Sequence, residues 1–226
     1  MTTELSISGV LPASLRSTAV ERLTAHTESG EAFALDETVF NRPDGSDTGA
    51  GASAGAAAAG GQVVRVRAMR TRSYKDGEAA RWSVQVNQRP EPPRTAPRAM
   101  QYGVVEFAVE EGNDPRSFVH ALGFEKRVFE LHQRGVRFKR GAVFVDVFQL
   151  FESSEATEPL DAASFAVTAS TRFSSAPARS SAGGGGGTPQ PGGPSASSAD
   201  ARDAALAALE QVAALLKGLV DLERVD

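Results

Sequence analysis

Apolar and polar residues alternate along several short segments of the chain, which is the two-residue period of a half-buried β-strand. Residues 4–10 place Leu5 and Ile7 on one face, and residues 64–70 alternate small apolar side chains with longer, mostly basic ones. The segments predicted to be extended are 4–10, 31–40, 64–70, 82–86, 104–109, 124–131, 142–151 and 164–173. A turn at Asp76-Gly77 predicts a hairpin between segments 64–70 and 82–86. Another turn is expected around Gly135, with residues 137–140 near it.

Three further segments carry helix signals. The first runs from Pro12 to about Thr27 and places Leu15, Ala19 and Leu23 four residues apart. The second begins at Asp114-Pro115, an N-cap residue followed by proline, and Gly123 is placed to end it. The third spans about 200–217, with Asp200 as the expected cap. Its apolar stripe consists of Leu206, Leu209, Val212, Ala213 and Leu216.

Two tracts are too poor in large apolar residues to order themselves, and they are predicted to be flexible insertions at about 42–61 and 174–199. The proline-rich stretch 89–98 is predicted to be a loop, because proline cannot donate to a strand ladder. Residues 1–226 are therefore expected to form a single domain. About eight strands and three helices predict a mainly β fold with flanking helices, an antiparallel β-barrel.

The segment 142–151 is apolar on both faces, with three valines on one face and Phe144, Phe148 and Leu150 on the other. Such a strand has both faces covered. We expect the barrel interior to cover one, and either the chain's own helices or a partner to cover the other. Outward-facing side chains would then bind a partner. The candidate partner-binding residues are Phe144, Phe148, Phe151, Leu209 and Leu216.

Two charged features have two interpretations each. Asp146 either points into a polar barrel interior and pairs with an arginine, which the pattern favours, or lies at an interface. A local excess of arginines between Arg65 and Arg98 favours a solvated strand face, and the alternative is contact with an acidic partner or nucleic acid. The formal net charge of -4 does not predict direct specific DNA binding.

The sequence carries no pattern typical of a catalytic, cofactor or metal site. None of the three histidines has a second ligand at metal-binding spacing. The five-glycine run 183–187 lacks the Lys-Ser/Thr of a phosphate loop. There is no cysteine, which favours a reducing compartment. No secretory signal or membrane span is expected.

The stretch 118–151, FVHALGFEKRVFELHQRGVRFKRGAVFVDVFQLF, resembles the conserved core of the fungal-type Mediator subunit 18 family. The segment 219–226, LVDLERVD, resembles the family's closing motif. The resemblance implies a barrel like those of the triphosphate-tunnel (CYTH) proteins. It also implies a non-enzymatic subunit of the Mediator head module, a nuclear transcription coactivator linking regulators to RNA polymerase II.

The implied partners are Mediator subunit 20, as a heterodimer, and the C-terminal helix of Mediator subunit 8. Other head-module subunits and RNA polymerase II would be contacted indirectly. The alternatives are a triphosphatase or CYTH-type phosphohydrolase barrel and an RNA-binding barrel. The hydrolase is disfavoured because no Glu-x-Glu pair occurs to direct two metal-binding carboxylates into a tunnel.

Overall fold

The computed structural model describes residues 2–41, 63–71, 81–110, 113–174 and 198–225. The strands are β1 (Thr2–Pro12), β2 (Ser29–Asn41), β3 (Val63–Thr71), β4 (Arg81–Asn87), β5 (Met100–Val109), β6 (Lys126–Arg140), β7 (Val143–Phe151) and β8 (Ser164–Ser174). The helices are α1 (Arg16–His26), preceded by a 3-10 turn at Ala13–Leu15, α2 (Pro115–Ala121) and α3 (Ser198–Leu216). The predicted tract 42–61, the Asp76-Gly77 turn and all but the ends of tract 174–199 lie outside the described residues.

The eight strands close into one antiparallel barrel in the order β1-β5-β4-β3-β2-β6-β7-β8. The barrel closes where β8 pairs with β1 along the whole of Thr2–Pro12. The predicted hairpin is confirmed, since β3 and β4 are antiparallel neighbours. Closure leaves no strand of the barrel at a free sheet edge. The predicted antiparallel β-barrel with flanking helices is therefore confirmed.

The two faces of the barrel wall differ in chemistry. Val143, Val145 and Val147 of β7 are buried in one apolar cluster with Leu209 and Leu216 of α3, so this face points outward under the helix. Side chains alternate across a strand. The intervening residues of β7 therefore point into the barrel. An outward orientation was predicted for Phe144 and Phe148, and it is wrong because α3 occupies the valine face.

Helices cover the outer wall at two places. Helix α3, with α1, covers the wall formed by β1, β6, β7 and β8. Helix α2 covers a second, smaller apolar cluster on β2, β3 and β4, which comprises Phe40, Val64, Val66, Val84, Val119 and Phe124. The large apolar clusters of this protein therefore lie outside the barrel, between its wall and the helices. None of the described helices has both the length and the apolar character needed to cross a membrane.

The turn predicted around Gly135 is wrong, because β6 runs without interruption from Lys126 to Arg140. The turn to β7 falls at Gly141, whose φ is 58°. Gly135 instead permits close approach of β7: a Cβ there would lie 2.1 Å from the carbonyl oxygen of Val147 and 2.6 Å from the Cα of Phe148. A glycine within a strand can mark such an approach as well as a turn.

The helix boundaries differ from the prediction by a few residues. Helix α3 begins at Ser198, so Asp200 lies in its first turn and is not its cap. The cap predicted for α2 is confirmed: Asp114 accepts hydrogen bonds from the backbone N–H groups of Arg116 and Ser117, at 3.0 and 3.3 Å. The Ser117 hydroxyl and these N–H groups lower the pKa of Asp114. Gly123 follows α2 with a φ of 86°.

We predict that Gly123→Val lowers the free energy of unfolding by about 1 to 3 kcal/mol, the cost of forcing a branched residue into the left-handed region. A Cβ at this position has no heavy atom within 4 Å, so the cost comes from backbone conformation and not from collision. Gly123→Asn is the matched control, because asparagine tolerates this region best among the larger residues. Urea denaturation of both variants measures the difference. Equal losses would show that conformation is not the cause.

Candidate functional sites: the barrel interior and the C-terminal clasp

The barrel interior is lined by charged side chains of both signs. They stand at alternate strand positions, opposite the apolar residues that face the helices. The inward-facing charged residues of the network are Glu4, Glu37, Arg65, Arg67, Glu106, Arg137, Asp146 and Arg172. The strands therefore place four arginines and four carboxylates on the inner face of the barrel wall.

Arg137 and Asp146 form the most regular pair of this network. They are partners in the β6–β7 register, and Arg137 Nε and Nη2 donate to the two carboxylate oxygens, each at 2.7 Å. The predicted interior position of Asp146, paired with an arginine, is confirmed. The guanidinium also lies 5.2 and 5.6 Å from the ring centroids of Phe33 and Phe144. Burial lowers the pKa of Arg137, but the bond and charge of Asp146 outweigh it and raise the pKa.

A second group joins β1, β5 and β8. Arg172 donates from Nε to Glu4 Oε2 at 2.6 Å, and its Nη1 donates to Glu106. The Tyr102 hydroxyl donates to Glu4 Oε1 at 2.5 Å. Burial, followed by the charge of Glu4 and this bond, raises the pKa of Tyr102, so the hydroxyl stays protonated. Burial raises the pKa of Glu106, but the contact with Arg172 outweighs it and lowers the pKa.

A third group is centred on Glu37 of β2. Its Oε1 accepts from Arg65 Nη1 at 2.7 Å, and Oε2 lies 3.0 Å from Arg67 Nε in an ion pair not aligned for a hydrogen bond. Arg67 Nη1 donates to Gln85 Oε1 at 2.8 Å. For Arg65 and Arg67, the favoured interpretation of a solvated strand face is therefore wrong: both point into the barrel. The alternation of charge with valine is the same for a polar interior as for a solvent face.

Each interior carboxylate is held by at least one guanidinium, and each guanidinium by at least one carboxylate. This pairing is a way to keep charges in a confined space, since an unpaired buried charge is costly. Among the described residues, no three His, Asp or Glu side chains come together as a metal site. His132 lies outside the interior, where its Nδ1 is 2.8 Å from Asp36 Oδ1.

The C-terminal segment after α3 forms what we call the clasp, residues 219–225. Glu223 exchanges two backbone hydrogen bonds with Ser8 of β1, at 2.8 and 3.0 Å. Val220 is buried in the main apolar cluster. The Arg224 guanidinium donates to the carbonyl oxygens of Glu91, Ala96 and Ala99 at 2.8, 2.6 and 3.3 Å. The terminal segment therefore ties α3, β1 and the loop before β5 together.

Gly9 permits the clasp to lie against β1. A Cβ on Gly9 would stand 2.4 Å from the Asp221 carbonyl oxygen and 2.8 Å from Val220 Cγ2. Arg22 of α1 adds a contact at the end of α3, donating to the carbonyl oxygen of Leu215 at 3.1 Å. Sequence reasoning singled out segment 219–226 only for its resemblance. Its contacts with β1 join residues that are more than 200 positions apart, so no local pattern indicates them.

The structure does not bring the predicted partner-binding residues together on one surface. Leu209 and Leu216 are buried between α3 and the barrel wall. Phe148 points inward, with its ring 6.4 Å from that of Phe33. Phe144 points inward with 41% of its surface exposed. Phe151 lies at the end of β7 under the guanidinium of Arg134, 4.4 Å from the ring centroid.

We predict that Asp146→Asn lowers the free energy of unfolding by about 2 kcal/mol, because it leaves the Arg137 guanidinium with a neutral partner. The Arg137 and Asp146 side chains are only 24% and 16% exposed. The matched control is Glu210→Gln, which breaks the surface pair with Arg98, whose side chains are 70% and 56% exposed. That change costs less than about 1 kcal/mol. Similar losses in both variants by urea denaturation would contradict a structural role for the interior network.

We predict that Gly9→Ala displaces the clasp and lowers the free energy of unfolding by about 1 to 3 kcal/mol, the range for overpacking a tight contact. Limited proteolysis measures the displacement, because a released C-terminal segment is cut sooner than a docked one. Val10→Ala is the control at the neighbouring, exposed position. Unchanged protection of the C-terminus in Gly9→Ala would show that the clasp is not held by this contact.

No protein-family model matches the chain, and no curated protein matches it by sequence. Solved structures are similar in fold. A chain in the structure of the Schizosaccharomyces pombe Mediator head module is 18% identical, with 99% of this chain and 98% of that chain covered and a TM-score of 0.65. Two Pyrococcus horikoshii proteins are 13% and 12% identical, cover 99% and 96% of this chain and 94% of their own, and have TM-scores of 0.54 and 0.52. At these identities the likeness establishes a shared barrel fold over nearly the whole chain.

Proposed function

We propose that this protein is a non-enzymatic scaffold subunit of the Mediator head module, of the subunit 18 type. In this role it is a nuclear transcription coactivator component that holds other subunits and connects them to RNA polymerase II. The observation that carries the proposal is the self-paired interior of a barrel that is similar, over nearly its whole length, to a chain of the fission-yeast Mediator head module. The two sequence motifs, at 118–151 and 219–226, support the same assignment.

The interior favours a structural role over phosphate hydrolysis. A tunnel that binds a triphosphate with a metal ion uses cationic side chains for the phosphates and carboxylates for the metal. Here Arg137 is engaged by Asp146 through two bonds, and Arg172 bridges Glu4 and Glu106. A triphosphate would have to displace these carboxylates from their guanidinium partners. Triphosphate binding would therefore cost the ion pairs that the folded protein already contains.

Exposed apolar side chains can supply contacts for partner chains. Large apolar side chains are exposed at Val10, Phe107, Phe118, Leu122, Val128, Phe129, Phe144, Leu160 and Val225. We propose that a subunit 20-like chain and the C-terminal helix of a subunit 8-like chain bind this protein. Of the residues predicted from the sequence, Phe144 and Phe151 remain candidates for direct contact. Leu209 and Leu216 contribute indirectly, by fixing α3 on the barrel wall.

Partner binding tests the proposal. We expect co-expression with a subunit 20-like chain and the subunit 8 helix to yield one complex on size-exclusion chromatography. The partners should also raise the melting temperature, since a partner at 100 times its Kd stabilises the folded state by about 2.7 kcal/mol. A lysozyme-sized unrelated helical protein serves as the co-expression control. Co-elution with the control, or a monomer that gains no stability, would contradict the proposal.

The same purified protein tests the alternative activity. We expect no phosphate release from tripolyphosphate, ATP or 5′-triphosphorylated RNA with Mg²⁺ or Mn²⁺. Turnover that disappears in Arg172→Met would instead assign the barrel to the phosphohydrolases. Arg98→Met, on the surface, is the matched control for the loss of one arginine.

A further inference from the structure

Every strand of the closed barrel has two neighbours, but the strands are staggered, and β5 extends beyond the end of β1. The register of β5 with β4 runs to Val109, whereas its register with β1 ends at the pair Thr2–Val104. We call residues 105–109, Val-Glu-Phe-Ala-Val, the β5 edge. Among the described strands, the β5 edge is paired on one side only, and a strand edge of this kind presents unpaired backbone groups.

The backbone groups of Glu106 and Ala108 point toward the open side of the β5 edge. The Gly103 carbonyl oxygen accepts on the other side, at 2.8 Å, from the N–H of the residue that directly follows β4. The Val104 carbonyl oxygen accepts at 3.2 Å from the hydroxyl of Thr2 in β1. Backbone groups of successive residues alternate between the two sides of a strand. Residues 106 and 108 therefore direct their N–H and C=O groups to the side of β1, beyond its end.

The two faces of the β5 edge differ in chemistry. Phe107 lies opposite Val84 of β4, a member of the apolar cluster under α2, so it points outward. The side chain of Phe107 is 48% exposed. Glu106 points inward and accepts from Arg172, which also donates to Glu4. Two carboxylates therefore share one guanidinium beside the β5 edge.

Other strand ends that extend past a neighbour are covered or protected. Strand β1 extends past β5 at residues 7–12, and the clasp pairs with it there through Ser8 and Glu223. Strand β6 extends past β7 at residues 126–131, where it begins with two basic residues and its register with β2 contains a bulge. Bulges and basic side chains discourage pairing at a strand edge. The β5 edge contains neither lysine nor proline, and its register with β4 is regular.

We propose that the β5 edge is a docking site for an extended segment of a partner protein in which apolar and basic residues alternate. An extended chain can exchange hydrogen bonds with the backbone of Glu106 and Ala108, as in other cases of strand addition. Residues directly opposite each other lie on the same face of a sheet. The partner residue opposite Phe107 is therefore apolar, and the one opposite Glu106 is basic. This docking site does not depend on the proposed function, because it follows from the geometry and charge of the β5 edge.

A second copy of this chain fits the β5 edge less well. Two antiparallel registers would place Glu106 opposite Glu106 or Glu110 of the copy, and like charges directly opposite each other are destabilising. A third register places Glu106 opposite Ala108. In that register the residue after Val109 of the copy would lie opposite Val104, a position that β1 already occupies. A separate segment with free ends meets neither obstacle.

The test is titration of the isotope-labelled full-length protein with the capped peptide Val-Lys-Val-Lys-Val, followed by NMR chemical shifts. We expect saturable binding below about 1 mM, with the amide signals of Glu106 and Ala108 among those that shift. N-methylation of the two lysines removes the donors that face the β5 edge and should weaken binding by about tenfold or more. The charge-reversed peptide Val-Glu-Val-Glu-Val should lose a similar factor, because it places like charge opposite Glu106.

A variant of the protein tests the same backbone contact from the other side. Ala108→Pro removes one N–H that faces the open side, and proline is tolerated on strand edges of this kind. It should weaken peptide binding by about tenfold, while its melting temperature shows that it folds. Ala108→Val keeps the N–H and is the matched control, with an unchanged Kd. If Ala108→Pro does not fold, Phe107→Ala replaces it and should weaken binding by about threefold, through loss of the outward apolar contact.

Four results would overturn the proposal. The first is no binding of the valine-lysine peptide at about 1 mM. The second is equal affinity for the valine-lysine, N-methylated and charge-reversed peptides, which would show that neither backbone pairing nor charge is recognised. The third is an equal Kd for the folded edge variant and Ala108→Val. The fourth is a dimer in analytical ultracentrifugation that Ala108→Pro or Phe107→Ala dissociates, which would assign the β5 edge to a second copy of this chain.

Discussion

Helix α3 must cover the outer wall of the barrel, and the rest of the structure depends on that contact. The wall formed by β1, β7 and β8 presents Leu5, Val145 and Ala169 outward, each with no exposed surface. Leu209, Val212 and Leu216 of α3 are buried against it in one apolar cluster. Burial of such side chains contributes on the order of 1.5 to 3 kcal/mol each. Without the helix this wall would face water.

The position of the apolar core explains the chemistry of the interior. Because valine and leucine at alternate positions face outward, the inward positions can be polar, and the chain places paired charges there beside the buried apolar side chains of Phe33, Leu35 and Val39. The pairing of Arg172 with Glu4 and of Arg137 with Asp146 keeps these groups satisfied in the enclosed space. The clasp adds to this packing, because Val220 extends the same apolar cluster and Glu223 pairs with β1. The paired charges inside the barrel, helix α3 and the clasp thus depend on the same packing of the barrel wall.

Much of this fold can be predicted from the sequence, because local patterns carry it. The alternation in residues 142–151 indicates the strand, and Asp114 and Gly123 mark the ends of α2 by their own conformational preferences. Which face of a strand points inward is a different question. Arg65 and Arg67 alternate with valines whether the arginines face solvent or a polar interior, so the pattern cannot decide between them.

The other incorrect or missing predictions also concern features that long-range contacts decide. Gly135 indicates a turn by composition, but its role is set by the approach of the β7 backbone at Val147 and Phe148. The orientation of Phe144 depends on α3, which lies more than 50 residues further along the chain. The role of segment 219–225 depends on Ser8 and on the loop before β5. Each of these facts belongs to the assembled barrel and not to any window of sequence.

The most direct test of this account compares a large side chain outside the barrel with one inside it, by urea denaturation of Leu209→Ala and Phe144→Ala. The main apolar core lies between α3 and the wall. Leu209→Ala should therefore cost about 2 to 5 kcal/mol, the range for a buried leucine. Phe144→Ala, inside the barrel and 41% exposed, should cost about 1 kcal/mol. A greater loss from Phe144→Ala than from Leu209→Ala would contradict the account, because it would place the stabilising core inside the barrel.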